Sequence, residues 1–169
     1  MDVLQAIFTR RSIRKFTGEP ISHDAMETLL KAGFAAPSAH NYQPWHFVVV
    51  RDSEILKKIS EGHPYAKMLP QAGSCIIVCG DDEKQKLKGF IVEDCSAAIE
   101  NILLAAHGIG LGAVWCGLYP VPELTKMVSE VIGLPENIEP IGMVVVGHKT
   151  EERPSADRYD GSKIHIDRW

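Results

Sequence analysis

Ala35-Ala36-Pro37-Ser38-Ala39-His40-Asn41-Tyr42-Gln43-Pro44-Trp45 is the stretch whose reading decides the fold. Before it, Met26, Leu29, Leu30 and Phe34 recur at helical spacing behind Ser22, whose hydroxyl is a candidate N-cap. Glu27 lies too far along to complete a capping box with Ser22. The helix should stop ahead of Pro37, because proline disfavours α geometry at the residue before it. After the stretch, Trp45-His46-Phe47-Val48-Val49-Val50 reads as a strand, apolar enough to imply burial on both faces. Between the two, small residues, a hydroxyl, carboxamides and an indole fill eleven positions, more chemistry than a turn requires. The expectation is a loop that holds a flat, polar-edged ligand.

The anionic tail of such a ligand would fall to the preceding basic segment, Thr9-Arg10-Arg11-Ser12-Ile13-Arg14-Lys15-Phe16. Ile13 and Phe16 anchor it to a core. Arg10, Ser12 and Arg14 alternate, so an extended backbone projects them on one side. Three donors on one face suit a phosphate, with arginine supplying planar, bidentate hydrogen bonds. The plain alternative is a solvated basic edge. Upstream, Val3, Leu4, Ile7 and Phe8 give an amphipathic helix.

At 169 residues the chain fits one domain, large enough to bury roughly 70% of its unfolded surface. A hydrophobic content of 45% and a charged content of 24% match a soluble globular protein. The net charge of -4 gives no reason to expect nucleic acid or an anionic membrane as partner. No apolar run reaches the ~18–20 residues that span a bilayer, and no signal-peptide h-region opens the sequence. Cys75, Cys79, Cys95 and Cys116 lack zinc-site spacing, and reduced, buried thiols in a cytoplasmic protein are expected.

The remaining chain alternates helix and strand. Ser53 to Ile59 is a short helix capped by Asp52 or Ser53, and His63 to Pro70 is a loop or broken helical turn. Ser74 to Gly80 is an apolar strand, and Asp81 to Lys88 a charged connection read as a solvated face. Gly89 to His107 is apolar nearly all round, so it is buried in a core or a subunit contact, and a homodimer follows as the better expectation. Gly108-Ile109-Gly110-Leu111-Gly112 is not a dinucleotide fingerprint, because the glycines end a helix instead of opening one. Ala113 to Gly117 and Glu139 to Val146 are strands, and Pro122 to Val131 is a helix. The polar tail ends in Ile164-His165-Ile166-Asp167-Arg168-Trp169, which suggests a docked segment. Alternation by itself suggests a parallel, doubly wound sheet, with strand direction left open.

Taken together, five segments in this order resemble the FMN-dependent nitroreductase family, in its short single-domain branch. They are Arg10 to Phe16, Ala36 to Trp45, the alanine-rich helix ending Gly108 to Gly112, Trp115-Cys116-Gly117, and Gly147-His148-Lys149 followed by Arg158. The resemblance implies an α+β fold with a mixed, mostly antiparallel sheet flanked by helices, which overrules the parallel sheet. It also implies an intertwined homodimer, residues 1–169 forming one domain with 148–169 as an arm docking on the partner, and FMN bound between subunits. Carried onto this sequence, Arg10, Arg11, Ser12 and Arg14 become contacts to the FMN phosphate and pyrimidine edge. Pro37, Ser38 and Ala39 line the flavin from the other subunit, and Asn41 and Gln43 bring carboxamides near its ribityl chain or ring edge. Trp115, Cys116 and Gly117 pass under the ring and offer backbone N–H groups, and Lys149 and Arg158 close on the phosphate, with Arg153 competing for the latter role. The implied activity passes electrons from NADH or NADPH through FMN to a small acceptor such as a nitroaromatic or quinone. No side chain is assigned as acid or base. A dehalogenating or flavin-fragmenting relative, or a flavin-storage protein, is the alternative. His40, Tyr42 and Lys67 are candidates for substrate contact. There is no insertion after Cys116 to form a lid, which leaves the acceptor open.

Overall fold

The computed structural model describes Met1 to Trp169. In chain order the helices are α1 (Val3–Thr9), α2 (His23–Phe34), α3 (Ser53–Gly62), α4 (Leu69–Ala72), α5 (Lys88–Gly108) and α6 (Pro122–Ile132). The strands are β1 (Trp45–Val50), β2 (Cys75–Asp81), β3 (Gly112–Gly117) and β4 (Ile138–Gly147). Capping follows the residue types. Ser22 accepts from the Ala25 N–H, Asp52 accepts from the Glu54 and Ile55 N–H groups, and Gly133 ends α6 in the left-handed region at φ 68°.

The four strands lie in the order β1-β2-β4-β3, and every neighbouring pair is antiparallel. The fold is therefore α+β, and the parallel sheet suggested by alternation is wrong for a specific reason. Alternation describes β2, α5 and β3 correctly: β2 and β3 do run the same way. But β4 is inserted between them and runs against both. Between β1 and β2 the chain makes two helical passes, α3 and α4, so it re-enters the sheet at the end it left. A parallel element survives only outside the named strands, where Ser12 bridges Ala113.

Side chains alternating along the strands feed two cores. Ile76, Val78, Val144 and Val146 pack against Met26 and Leu29 of α2 and Ile91, Ile99 and Ile102 of α5. Cys75, Ile77, Cys79, Met143 and Val145 pack against Leu56 and Ile59 of α3, Leu69 and Val128. The four thiols are free and buried. Burial pushes Cys79 and Cys95 up to about 12 and raises Cys75 as well, so none of the three is a nucleophile at neutral pH.

Two surface expectations change. The Asp81–Lys88 connection is not simply solvated, because Asp81 and Gln85 are buried. Burial pulls the Asp81 carboxyl upward, but hydrogen bonds from the Glu83 N–H, Asn137 and His46 outweigh it and hold it below the usual range. The apolar stripe of α1, by contrast, is exposed at Val3, Leu4, Ile7 and Phe8, as are Ile164, Ile166 and Trp169 in the tail. No helix is long and apolar enough to cross a membrane.

The contact of β2 with α5 is testable at one atom. A Cβ on Gly80 would stand 2.0 Å from Ile91 Cγ2, inside a fully packed core. Gly80→Ala should destabilise by about 1–3 kcal/mol or more in urea unfolding. Gly89→Ala, with nothing within 4 Å, should instead be neutral or stabilise by about 0.5–1 kcal/mol.

Candidate functional site along the outer edge of β3

β3 ends the sheet, and its outer edge is met by the N-terminal basic segment. The Ile13 N–H donates to Ala113 O at 3.0 Å, and Ser12 pairs parallel with Ala113. Two residues on, the segment turns to the chain leaving β4. The Thr17 N–H donates to His148 O at 2.9 Å, the Thr150 N–H to Lys15 O at 3.0 Å, and Phe16 pairs with Lys149. Gly112 permits this threading. A Cβ there would lie 2.8 Å from both Ile13 Cγ2 and Lys149 Cβ.

Because the Ser12–Ala113 pairing is parallel, the segment and β3 advance together. Arg10 and Arg11 fall beside Gly112 and Lys149, while Arg14 is carried toward Trp115. Within one chain Arg10 and Arg14 therefore line different hollows. Arg10 caps α1, the Ser12 and Ile13 backbones are fixed to β3, and Arg14 opens on a different hollow.

The first hollow is polar and lined by Thr9, Arg10, Arg11, His107, Lys149 and Arg153, among others. Arg10 Nε lies 3.3 Å from Glu100 of α5, Lys149 Nζ 2.6 Å from Glu152, and Arg153 3.4 Å from Glu151. Arg11 reaches the Pro154 carbonyl. Thr9 Oγ1 donates to Gln5 O, so at 2.8 Å it accepts from His107 Nε2–H. Burial, with the Lys149 and Arg10 cations beside it, lowers His107 below the ordinary histidine value and keeps it neutral.

The second hollow has a volume of about 700 Å³, ample for a small planar ligand. Its wall is Trp115-Cys116-Gly117, faced by Arg14, His63, Tyr65, Lys67 and Met68. In an extended strand a residue's N–H and C=O point to one side and the next residue's to the other. Ala113 O points outward to Ile13, and the Leu118 N–H points inward to Ile141 O. Trp115 and Gly117 therefore present their backbone groups on the free edge, whereas those of Cys116 point toward β4. This refines the expectation that all three offer N–H groups. The Cys116 thiol is buried, and burial pushes it up to about 11 despite Arg14, so it does not act as a nucleophile. The Trp115 indole is held across Gly142, where a Cβ would sit 2.4 Å from Nε1.

His63, which the sequence reading passed over, is 1% exposed. Its Nδ1 accepts from the Tyr65 N–H at 3.1 Å, so Nε2 carries the proton and donates to Gly117 O at 2.9 Å. That bond closes the end of the wall. Lys67 Nζ donates to Ser60 O at 2.8 Å and Glu61 O at 3.2 Å, the orphan carbonyls of α3.

The loop of the opening stretch stands apart from both hollows. Ala39–Asn41 form a 3₁₀ turn, and His40, Asn41 and Gln43 adopt φ of 54°, 56° and 49°. The Gln43 N–H donates to Ser38 Oγ at 2.9 Å, and the Ala39 N–H donates to Asp94 Oδ1 of α5 at 2.9 Å. Pro37, Ser38, Ala39 and Asn41 line neither hollow, and Gln43 opens beside Phe34 and Phe47. His40 and Tyr42 stack loosely on one another, with ring centroids 5.3 Å apart. Arg158 lies on the exposed arm, near Ile7, Phe8, Arg10 and Arg11. Thus one chain gathers Arg10, Arg11, Ser12, Arg14, Trp115, Cys116, Gly117 and Lys149 along an edge, and leaves the loop elsewhere.

Asp94, Glu100, Asn101 and His107 were also not anticipated. Their signal was present as polar residues in an otherwise apolar helix. Asp94 and Asn101 are two turns apart, as are Glu100 and His107, so each pair shares a face.

The nitroreductase family model matches residues 7–63 and 60–148. A protein of Methanothermobacter thermautotrophicus, provisionally named an NADH dehydrogenase/NAD(P)H nitroreductase, is 44% identical over 169 residues, covering 100% of this chain and 88% of the relative. The crystal structure of a similarly named protein from Parabacteroides distasonis superposes with a TM-score of 0.95 at 37% identity, covering 98% of each chain. A provisionally named nitroreductase from Desulfovibrio desulfuricans, solved in complex with FMN, superposes with a TM-score of 0.86 at 30% identity, covering 100% of this chain and 98% of that one. With its fold, its sequence and the family model in agreement over most of its length, this chain belongs to the nitroreductase family.

Proposed function

We propose that the chain is an FMN-dependent oxidoreductase, working as a homodimer, that takes reducing equivalents from NADH or NADPH and passes them to a small acceptor such as a nitroaromatic or quinone. The observation that carries this reading is the pairing along the edge of β3. Cations converge at one end, and a cavity of about 700 Å³ with outward backbone groups opens at the other. FMN has that same polarity, a phosphate held at a distance from a flat ring with polar edges. The residues present fit it. Arg10 offers a bidentate fork and Lys149 a compact charge to the phosphate, with Arg11 and Ser12 alongside. The neutral His107 behind them spends its one N–H on Thr9 and adds no charge to their mutual repulsion. Arg14 would meet the pyrimidine edge, and the Trp115 and Gly117 N–H groups would be the donors available to stabilise electron density on a reduced ring.

Bound FMN supplies the hydride chemistry, so the protein needs no acid or base of its own and acts by binding, orienting and tuning. The cavity contains Arg14 and Lys67 but no carboxylate, and its walls include Tyr65, Tyr119, Met68 and Leu124. It suits a flat acceptor that is neutral or anionic. The remaining assignments call for a second copy. Pro37, Ser38, Ala39, Asn41 and Gln43 of the partner would close the ring side, and the arm from residue 148 would dock on the partner. The exposed apolar faces of α1 and of Ile164, Ile166 and Trp169 would be covered in the same assembly. Within one chain Arg153 lines the phosphate hollow and Arg158 does not, which favours Arg153 there and leaves Arg158 for the partner.

Purified protein should be yellow, bleach anaerobically on titration with NADH or NADPH, and regain colour with a nitroaromatic. Flavin that binds but is not reduced by either nucleotide would sink the oxidoreductase reading and leave storage. Arg10→Ala and Arg14→Ala should each weaken FMN binding by about 1.5–3 kcal/mol, the range for hydrogen bonds to charged groups. Fluorescence titration that finds unchanged affinity in both removes the assignment of this edge.

A further inference from the structure

We propose that Asp94 is a positioning residue of this site, holding the Ser38–Gln43 loop in the shape that presents it to the flavin; this rests on the oxidoreductase reading above. Three residues of that loop are strained, since His40, Asn41 and Gln43 are all left-handed without being glycine. Such conformations persist only where the surroundings over-determine them. Most of the loop's hydrogen bonds are internal. The Asn41 N–H donates to Ser38 O, the Tyr42 N–H to Ala39 O, and the Gln43 N–H to Ser38 Oγ. They shape the loop but do not fix its place.

The tie to the body is the Ala39 N–H donating to Asp94 Oδ1 at 2.9 Å. Asp94 is 5% exposed, in the second turn of a helix whose other buried residues are apolar, and its Oδ2 is buried with no partner. A carboxylate oxygen left in that state is costly, so a structural role alone would be served better by a neutral or apolar side chain. What a carboxylate adds is a stronger acceptor for the one N–H that anchors a strained loop.

The test uses holoenzyme, with FMN affinity, the visible circular dichroism of bound flavin and the split between kcat and KM as readouts. Asp94→Ala should weaken FMN binding about 10- to 100-fold, as expected for loss of a hydrogen bond to a charged group, and change the dichroism of the flavin that still binds. Its kcat should fall more than its KM for the nicotinamide rises. Asp94→Asn, which keeps an acceptor of the same size but not its charge, should recover part of the affinity and fall between Asp94→Ala and wild type. Ala39→Pro removes the same hydrogen bond from the other side. The extended backbone of Ser38 (φ −141°, ψ 151°) accommodates a following proline, so this variant decides the matter if Asp94→Ala does not fold. Wild-type affinity and dichroism in Asp94→Ala and Ala39→Pro, whatever their melting temperatures, would overturn the proposal while leaving the oxidoreductase reading intact. A wild-type protein that binds no FMN would end both.

Discussion

The constraint on which the structure depends is the packed inner face of α5. Ile91, Cys95, Ala98, Ile99, Ile102 and Ala106 close it in on the sheet and on α2, and the buried Asp94 and part-buried Glu100, Asn101 and His107 leave from that fixed stem. Each of these four holds something. Asp94 holds the Ser38–Gln43 loop, Asn101 donates to Ala32 O near the end of α2, Glu100 pairs with Arg10, and His107 donates to Thr9. A single buried helix thus fixes the loop at one place and the start of the basic segment at another. The site elements inherit the rigidity of the core without being part of it.

The second organising contact is smaller. One parallel pairing, Ser12 with Ala113, sets the register of the basic segment against β3. From that register follows which cation stands at which end. Arg10 is placed with Lys149, and Arg14 with the outward backbone of Trp115 and Gly117. The same contact covers the start of the β3 edge at Ala113 and leaves the Trp115–Gly117 end open. His63 finishes the edge by fixing Gly117 O.

Much of this was legible in the residues. Helices and strands could be placed from period and caps: Ser22, Asp52 and Gly133 all cap as their types suggest. The reversed order of helix and glycines at Gly108 to Gly112 excluded a dinucleotide fold. Strand direction was not legible, because alternation records which elements follow one another and not which strand is inserted between which. β4 between β2 and β3 has no local signature. Nor did the alternation of Arg10, Ser12 and Arg14 reveal that their shared face is drawn out along a strand edge. The bracing residues were hidden for another reason. Asp94, Asn101, Glu100 and His107 look like the polar side of a helix until the partners that each one meets are known. Asp81 and Gln85 were masked in the same way by the charges around them.

The central claim is that cations on the β3 edge of one chain and the strained loop of another copy make one flavin site. It is tested most directly by a mixed dimer. One copy carries Arg10→Ala with Lys149→Ala, the other carries Ala39→Pro, and the two are separated by different tags so that flavin per dimer can be counted from absorbance. If the elements come from different chains, the mixed dimer keeps one intact pairing and should hold about one FMN, while both variant homodimers hold almost none. A mixed dimer as empty as its parents would show that loop and cations act within one chain, and would contradict the claim.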